Sequence, residues 1–178
     1  MAADAGLSGE VADVLVLAAA SVGEAYTVVY EVDGADVIVM SDPPRRRVDV
    51  SQPGEADIRT IETQESSLRC TRSAAGWKCE SRPLSEAPGA FRAEALVAVV
   101  DSLVTRPPDG TDLRVERRAV AGVRATCLVT SDRTFCVSKE GVALLLEGFG
   151  NGDLAAVDYR ADVEDDAFDA PAAPDADR

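Results

Sequence analysis

The sequence predicts an α+β fold in which a curved, open antiparallel sheet carries two amphipathic helices. Two stretches, residues 8–22 and 91–105, place apolar side chains at helical spacing. The remaining body alternates apolar and polar residues in short runs joined by hairpin-like turns, which make neighbouring strands antiparallel. Because a twisted sheet of about ten strands curls, we expect an open half-barrel of about 10–11 strands with the helices covering its concave face.

The first half of the chain is predicted to be one helix followed by a meander of strands. Ser8 is the expected N-cap of the first helix, and Gly23 is its natural stop. The period then changes from 3.6 to two, and Asp33-Gly34 is a strong hairpin signal. Strands are expected at residues 26–32, 37–40, 47–51 and 57–63, followed by a hairpin around residues 68–79.

The second half repeats this order. The helix predicted over residues 91–105 ends before the breaker sequence 107–110. Strands are expected at residues 112–120, 123–130, 133–138, 142–148 and 154–163. We therefore expect one domain over residues 8–163, and an acidic, Ala/Pro-rich tail over residues 164–178 that is disordered.

Composition and charge exclude several classes of function. The chain has 178 residues and a formal net charge of −14, which disfavours contact with nucleic acid or anionic lipid surfaces. It contains no histidine, which excludes Ser-His-Asp and Cys-His catalysis. No phosphate-binding glycine loop, nucleophile elbow or catalytic carboxylate pair is evident. We therefore expect no enzyme activity, no cofactor and no metal site.

Four cysteines form two pairs of identical spacing. Each pair has eight intervening residues with a turn at the middle, so a hairpin would place the two cysteines opposite each other. We predict the disulfides Cys70–Cys79 and Cys127–Cys136; free buried thiols and a four-cysteine zinc site are the alternatives. Disulfides imply an oxidising compartment. The N-terminal residues lack a basic signal-peptide segment. Because the predicted disulfides imply export, we expect an export signal or lipid anchor to be missing from this sequence.

Several segments together resemble a known family, the LolA/LolB-type lipoprotein carriers and related actinobacterial cell-envelope lipoproteins that bind lipids. The resemblance covers about residues 25–171. It rests on the strand 25–30 after a helix, the strand–proline–arginine–strand passage 37–49, the turn 139–141, the closing strand 159–162 and the F-x-x-P sequence 168–171.

The resemblance implies an apolar cavity for acyl chains between sheet and helices, in a protein of the cell envelope, the periplasm or the secreted fraction. Its partner would be a lipid or an acylated lipoprotein, together with a membrane-bound envelope protein. The candidate wall residues are Val28, Tyr30, Val39, Leu96, Val100, Leu103, Leu144 and Leu146, unless these form a plain core. Arg45, Arg46 and Arg47 are the candidates for contact with a lipid headgroup, unless they form a solvated turn.

Two other functions fit the same sequence. A protein-interaction or sensor module of the envelope would have a filled interior and a working outer surface, without lipid cargo. A purely structural envelope protein is the third interpretation.

Overall fold

The computed structural model describes residues 9–84, 91–105, 112–149 and 153–174. These residues form two α-helices, a 3-10 helix and eleven β-strands. In chain order the elements are α1 (Gly9–Ala20), the 3-10 helix Ser21–Gly23, β1 (Tyr26–Val32), β2 (Ala35–Asp42), β3 (Arg45–Ser51), β4 (Ile58–Glu62), β5 (Ser67–Ser73), β6 (Gly76–Arg82), α2 (Ala93–Thr105), β7 (Arg114–Val120), β8 (Val123–Val129), β9 (Thr134–Val137), β10 (Ala143–Glu147) and β11 (Leu154–Arg160).

The chain divides into two compact units. The helical unit contains α1, α2 and strands β7–β10, and the seven-stranded unit contains β1–β6 and β11. The strand order is β10-β9-β8-β7 in the first unit and β6-β5-β4-β3-β2-β1-β11 in the second. All pairings described between the named strands of each unit are antiparallel, and neither order returns to its start. The predicted α+β class with an open antiparallel sheet is therefore confirmed.

Both helices begin and end close to their predicted bounds. Helix α1 ends at Ala20, two residues before the predicted end, and continues as a 3-10 turn in which the Ser21 hydroxyl donates to the Ala18 carbonyl at 2.7 Å. This change of winding leaves Val22 40% exposed, although its spacing predicted a place on the apolar stripe. The proposed N-cap Ser8 lies outside the described residues.

In the helical unit, α1 packs against α2 and against strands β7, β8 and β9. Its buried stripe consists of Val11, Val14 and Ala18. Gly141, in the β9–β10 turn, has a φ of +82° and approaches the backbone of α1 so closely that a Cβ there would lie 1.7 Å from the Leu17 carbonyl oxygen. Only glycine meets both requirements, so Gly141 fixes the distance between this turn and α1.

The seven-stranded unit has two chemically different sheet faces, which follow from the register of its strands. One face, the valine face, carries Tyr26, Val28, Tyr30, Val37, Val39 and Val48, all of which are buried. Its continuation on β4–β6 is polar except for Ile58. The other face, the strap face, carries Asp49, Arg59, Cys70 and Cys79 in one cross-strand row.

Residues 161–174, which we call the strap, run across the strap face after β11. The Thr27 hydroxyl donates to the Asp162 carbonyl at 2.9 Å, and Arg47 Nη1 donates to the Ala167 carbonyl at 2.6 Å. Ala167 is buried, and Pro174 forms an isolated parallel bridge with Cys79 on the edge strand β6. The strap thus reaches from β1 across β3 to the far edge of the sheet, although the acidic composition of residues 164–178 predicted disorder.

Candidate functional site

Three of the predicted wall residues lie together on the valine face. Val28 and Val39 are directly opposite each other on β1 and β2, and Tyr30 shares their face one pair further along β1. Their exposed fractions are 0%, 1% and 2%. Burial raises the pKa of the Tyr30 hydroxyl well above its ordinary value, so this phenol stays neutral at every physiological pH.

The other predicted wall residues belong to the helical unit. Leu146 lies opposite Phe135, which in turn lies opposite Leu128, so the three side chains share one sheet face. Val100 of α2 and Leu144 of β10 are fully buried, and Leu96 is half-buried. Leu103 belongs to α2, but its side chain lies outside the described part of the structure.

Sequence reasoning missed two of the largest apolar side chains in the helical unit. Leu128 and Phe135 are 0% and 1% exposed. Val115 lies opposite Leu128 and lines a groove together with Val14 and Leu17 of α1, which places this row on the face that α1 covers. Strict alternation in β8 and β9 could have identified both residues as core positions.

The three consecutive arginines do not converge on one surface. Strand β3 begins at Arg45, so successive side chains alternate between the two faces. Arg46 lies on the valine face, where Nη1 donates to Glu62 Oε1 at 3.1 Å. Arg45 and Arg47 lie on the strap face; Arg45 pairs with Asp42 and stacks 4.5 Å from the centre of the Phe168 ring. Each of the three guanidinium groups therefore has a carboxylate or strap partner.

Asp49 is the centre of a charge network on the strap face. Its carboxylate accepts hydrogen bonds from the Arg47 guanidinium and from Arg59, whose Nη2 lies 2.9 Å from Oδ2. Burial pushes the pKa of Asp49 upward, but the hydrogen bonds from the two arginines outweigh it and hold this pKa below its ordinary value. Asp49 is therefore ionised at neutral pH and links β3, β4 and, through Arg47, the strap.

Trp77 lies beside this network in a shallow groove of about 220 Å³. The Arg59 and Arg72 guanidinium carbons lie 5.2 and 5.9 Å from the centre of its indole ring. The carboxylates of Asp36, Asp49 and Asp57 line the same groove. The groove thus carries three carboxylates and two guanidinium groups, so it has no excess of positive charge for an anion. Neither this groove nor the one beside α1 is lined by a predicted wall residue.

The polar part of the valine face carries more cations than carboxylates. Arg69 of β5 lies between Thr60 of β4 and Glu80 of β6, and its side chain is half-buried. Lys78 and Arg82 lie on the same face of β6, and Arg82 Nη2 is 3.5 Å from Glu80 Oε2. We call Arg69, Lys78 and Arg82 the cationic rim.

Both predicted disulfides are confirmed. Cys70 and Cys79 are directly opposite on β5 and β6, as are Cys127 and Cys136 on β8 and β9, and both pairs have a Cα–Cα distance of 4.0 Å. This pairing uses all four cysteines, which excludes the zinc and free-thiol alternatives. The disulfides are consistent with an oxidising compartment.

Neither α-helix in the described ranges reaches the length and apolarity that crossing a bilayer requires. In comparisons with known proteins, no protein-family model and no curated protein matches this chain.

Proposed function

We propose that the protein binds the acyl chains of a lipid or lipoprotein in the cell envelope, with the valine face as one wall of the binding site and without covalent chemistry. The observation that carries the proposal is the valine face itself. It is a continuous, buried surface of four valines and two tyrosines over three strands, and the described part of the seven-stranded unit contains no α-helix. The predicted placement of both helices on the concave side of the sheet belongs to the same proposal.

The chemistry of this face suits an acyl chain better than a polar ligand. Each buried methylene contributes about 0.8 kcal/mol, so about ten would contribute about 8 kcal/mol before the entropic costs of association. Val28, Val39 and Val48 form one cross-strand row that offers no hydrogen-bonding side chain. The specificity of such a site depends on the length and shape of the acyl chain rather than on specific polar contacts.

An extracytoplasmic location is the second part of the proposal. Two disulfides in hairpins are maintained in the envelope or in the secreted fraction, where acylated molecules must be shielded from water during transfer. The resemblance to LolA/LolB-type carriers supports the same location, since those proteins work outside the cytoplasm.

Native mass spectrometry of the protein purified from cells, followed by lipid extraction, tests this proposal. We expect an added mass in the range of a lipid and recovery of acyl chains from the same sample. Val39→Phe fills space on the valine face and Val39→Asp places a carboxylate there, so both should lower the bound fraction. Val157→Asp is the matched control, because Val157 is 55% exposed on β11. A wild-type protein that carries no lipid and takes up none would contradict the proposal.

A protein-interaction or sensor module is the second candidate. The observation that favours it is the burial of the valine-face residues, which a filled interior would also produce. It predicts that the purified protein has the mass of the lipid-free chain. Binding of the partner protein would then be lost through substitutions at outer positions such as Trp77 rather than at Val39.

A further inference from the structure

The arginines of this acidic protein are mostly paired, and Arg69 is an exception. Arg46, Arg47 and Arg59 each have a carboxylate partner within 4 Å. In the described ranges, the Arg69 guanidinium forms neither an ion pair nor a hydrogen bond, although its side chain is half-buried and the chain carries a net charge of −14. Partial burial of a cation without a counter-ion is unfavourable, and an anion beside it would remove that penalty.

The position of Arg69 relates it to the proposed lipid-binding wall. The register places Val28, Val39, Val48, Thr60 and Arg69 in a single cross-strand row of the valine face. With a strand spacing of about 4.8 Å, the Arg69 backbone lies about 10 Å from that of Val48. The row therefore changes from apolar to charged within two strands, with Arg69 on β5 and Glu80 beyond it on β6. This change matches a molecule with an acyl chain and a charged end.

The surrounding charges favour an anion as well. The polar part of the valine face holds four cations, Arg46 and the three residues of the cationic rim, and two carboxylates, Glu62 and Glu80. Glu62 pairs with Arg46, and Glu80 pairs with Arg82. Glu80 lies directly opposite Arg69 in the β5–β6 register, but its carboxylate pairs with Arg82. Among the described residues, the Arg69 guanidinium therefore has a carboxylate nearby but forms no ion pair with it.

We propose that the bound lipid carries an anionic headgroup, a phosphate or a carboxylate, and that Arg69 is its counter-ion on the cationic rim. This inference rests on the proposed lipid-binding function and adds the chemical class of the ligand. It also replaces the predicted headgroup contacts at Arg45, Arg46 and Arg47, which already have partners, by a residue on the same sheet row as the apolar wall.

Two probes of equal chain length separate charge from acyl binding. Hexadecanoate and hexadecan-1-ol have the same chain length and differ only in the polar headgroup. Titration of each probe into the full-length protein measures its affinity. We expect hexadecanoate to bind about tenfold more tightly, as a charge-assisted hydrogen bond predicts. Arg69→Gln should abolish this preference without changing the affinity for the alcohol, and Arg69→Lys should retain part of it. Arg124→Gln is the matched control, since Arg124 is exposed on β8 of the helical unit.

The outcomes distinguish the two proposals. Equal affinities of the wild-type protein for the two probes would overturn the anionic-headgroup inference and leave lipid binding intact. An Arg124→Gln effect as large as that of Arg69→Gln would overturn it too, because a general charge effect would then explain the preference. Inorganic phosphate that binds with the same affinity as hexadecanoate would show a site for a free anion and overturn it. Failure of both lipid probes to bind would instead contradict the proposed function.

Discussion

The two disulfide hairpins share one covalent pattern but lie in different surroundings. In both, the cysteines are nine residues apart, directly opposite and fully buried. Strand β6 of the first hairpin is the edge of its sheet; among the described residues it pairs with β5 and, at Cys79, with Pro174 of the strap. Strands β8 and β9 of the second hairpin have further neighbours on both sides, β7 and β10.

Side-chain burial also differs between the two hairpins. All four residues of β9 are buried, whereas Cys79 is the single buried residue of the seven in β6. A central hairpin is therefore stabilised mainly by packing, and its disulfide adds to an existing core. An edge hairpin has few packing contacts, so its disulfide and the strap carry a larger share of its stability.

The largest expected difference in stability is between two variants, each of which lacks the aromatic residue of one hairpin. Phe135→Ala removes a ring that is 1% exposed and should lower the free energy of unfolding by about 3–5 kcal/mol. Trp77→Ala removes a half-buried ring that contacts Arg59 and Arg72, and should lower it by about 1–2 kcal/mol. Urea denaturation of the two variants measures both values. Equal losses would show that the edge hairpin is as well packed as the central one.

Removing the strap should affect one disulfide and spare the other. We expect a chain shortened after Val163 to lose the Pro174–Cys79 bridge and the buried Ala167, so that β6 opens more often. Cys70–Cys79 should then be reduced by dithiothreitol about tenfold faster, which corresponds to about 1.4 kcal/mol in local opening. Cys127–Cys136 is the internal control, and its rate should not change. Peptide mapping of alkylated thiols measures the two rates in one sample, and equal acceleration would contradict a local role of the strap.

The pairing of the cysteines could be predicted from sequence because it depends only on local geometry. A turn at the middle of a C-x8-C segment determines which residues of the two strands are opposite, and alternation determines the face. The buried stripe of α1 followed from helical spacing for the same reason, and Val11, Val14 and Ala18 are all buried. These predictions needed no information about distant parts of the chain.

Long-range contacts could not be predicted in this way. Arg47 contacts Ala167, which is 120 residues away, and the acidic composition around Ala167 is typical of disordered segments. The arginine triplet shows a second limit. Because β3 begins directly after the two-proline turn, Arg45 already belongs to a strand, and alternation separates Arg46 from its neighbours. Among the residues of the candidate site, half-buried Arg69 could not be predicted from the sequence. The absence of an ion pair at its guanidinium becomes evident only from the three-dimensional structure.

The charge network around Asp49 connects the sheet beside the edge hairpin to the strap. Asp49→Asn leaves Arg47 and Arg59 without their carboxylate and should lower the free energy of unfolding by about 2 kcal/mol at pH 7. The pKa of Asp49 is lower in the folded protein than in the unfolded chain, so ionisation stabilises the fold above the unfolded pKa, near 4. That stabilisation is lost as the pH falls through the folded pKa.

The difference in the free energy of unfolding between the wild-type protein and Asp49→Asn should therefore be constant from pH 7 to about pH 5 and decrease below about pH 4. Thermal unfolding at a series of pH values measures it. Asp57→Asn serves as the control, because Asp57 is 36% exposed and 3.8 Å from Arg72, so its loss should be about 0.5 kcal/mol. If the two variants behaved alike, the network around Asp49 would contribute no more than an exposed ion pair, and the strap would depend on its backbone contacts with Thr27 and Cys79 instead.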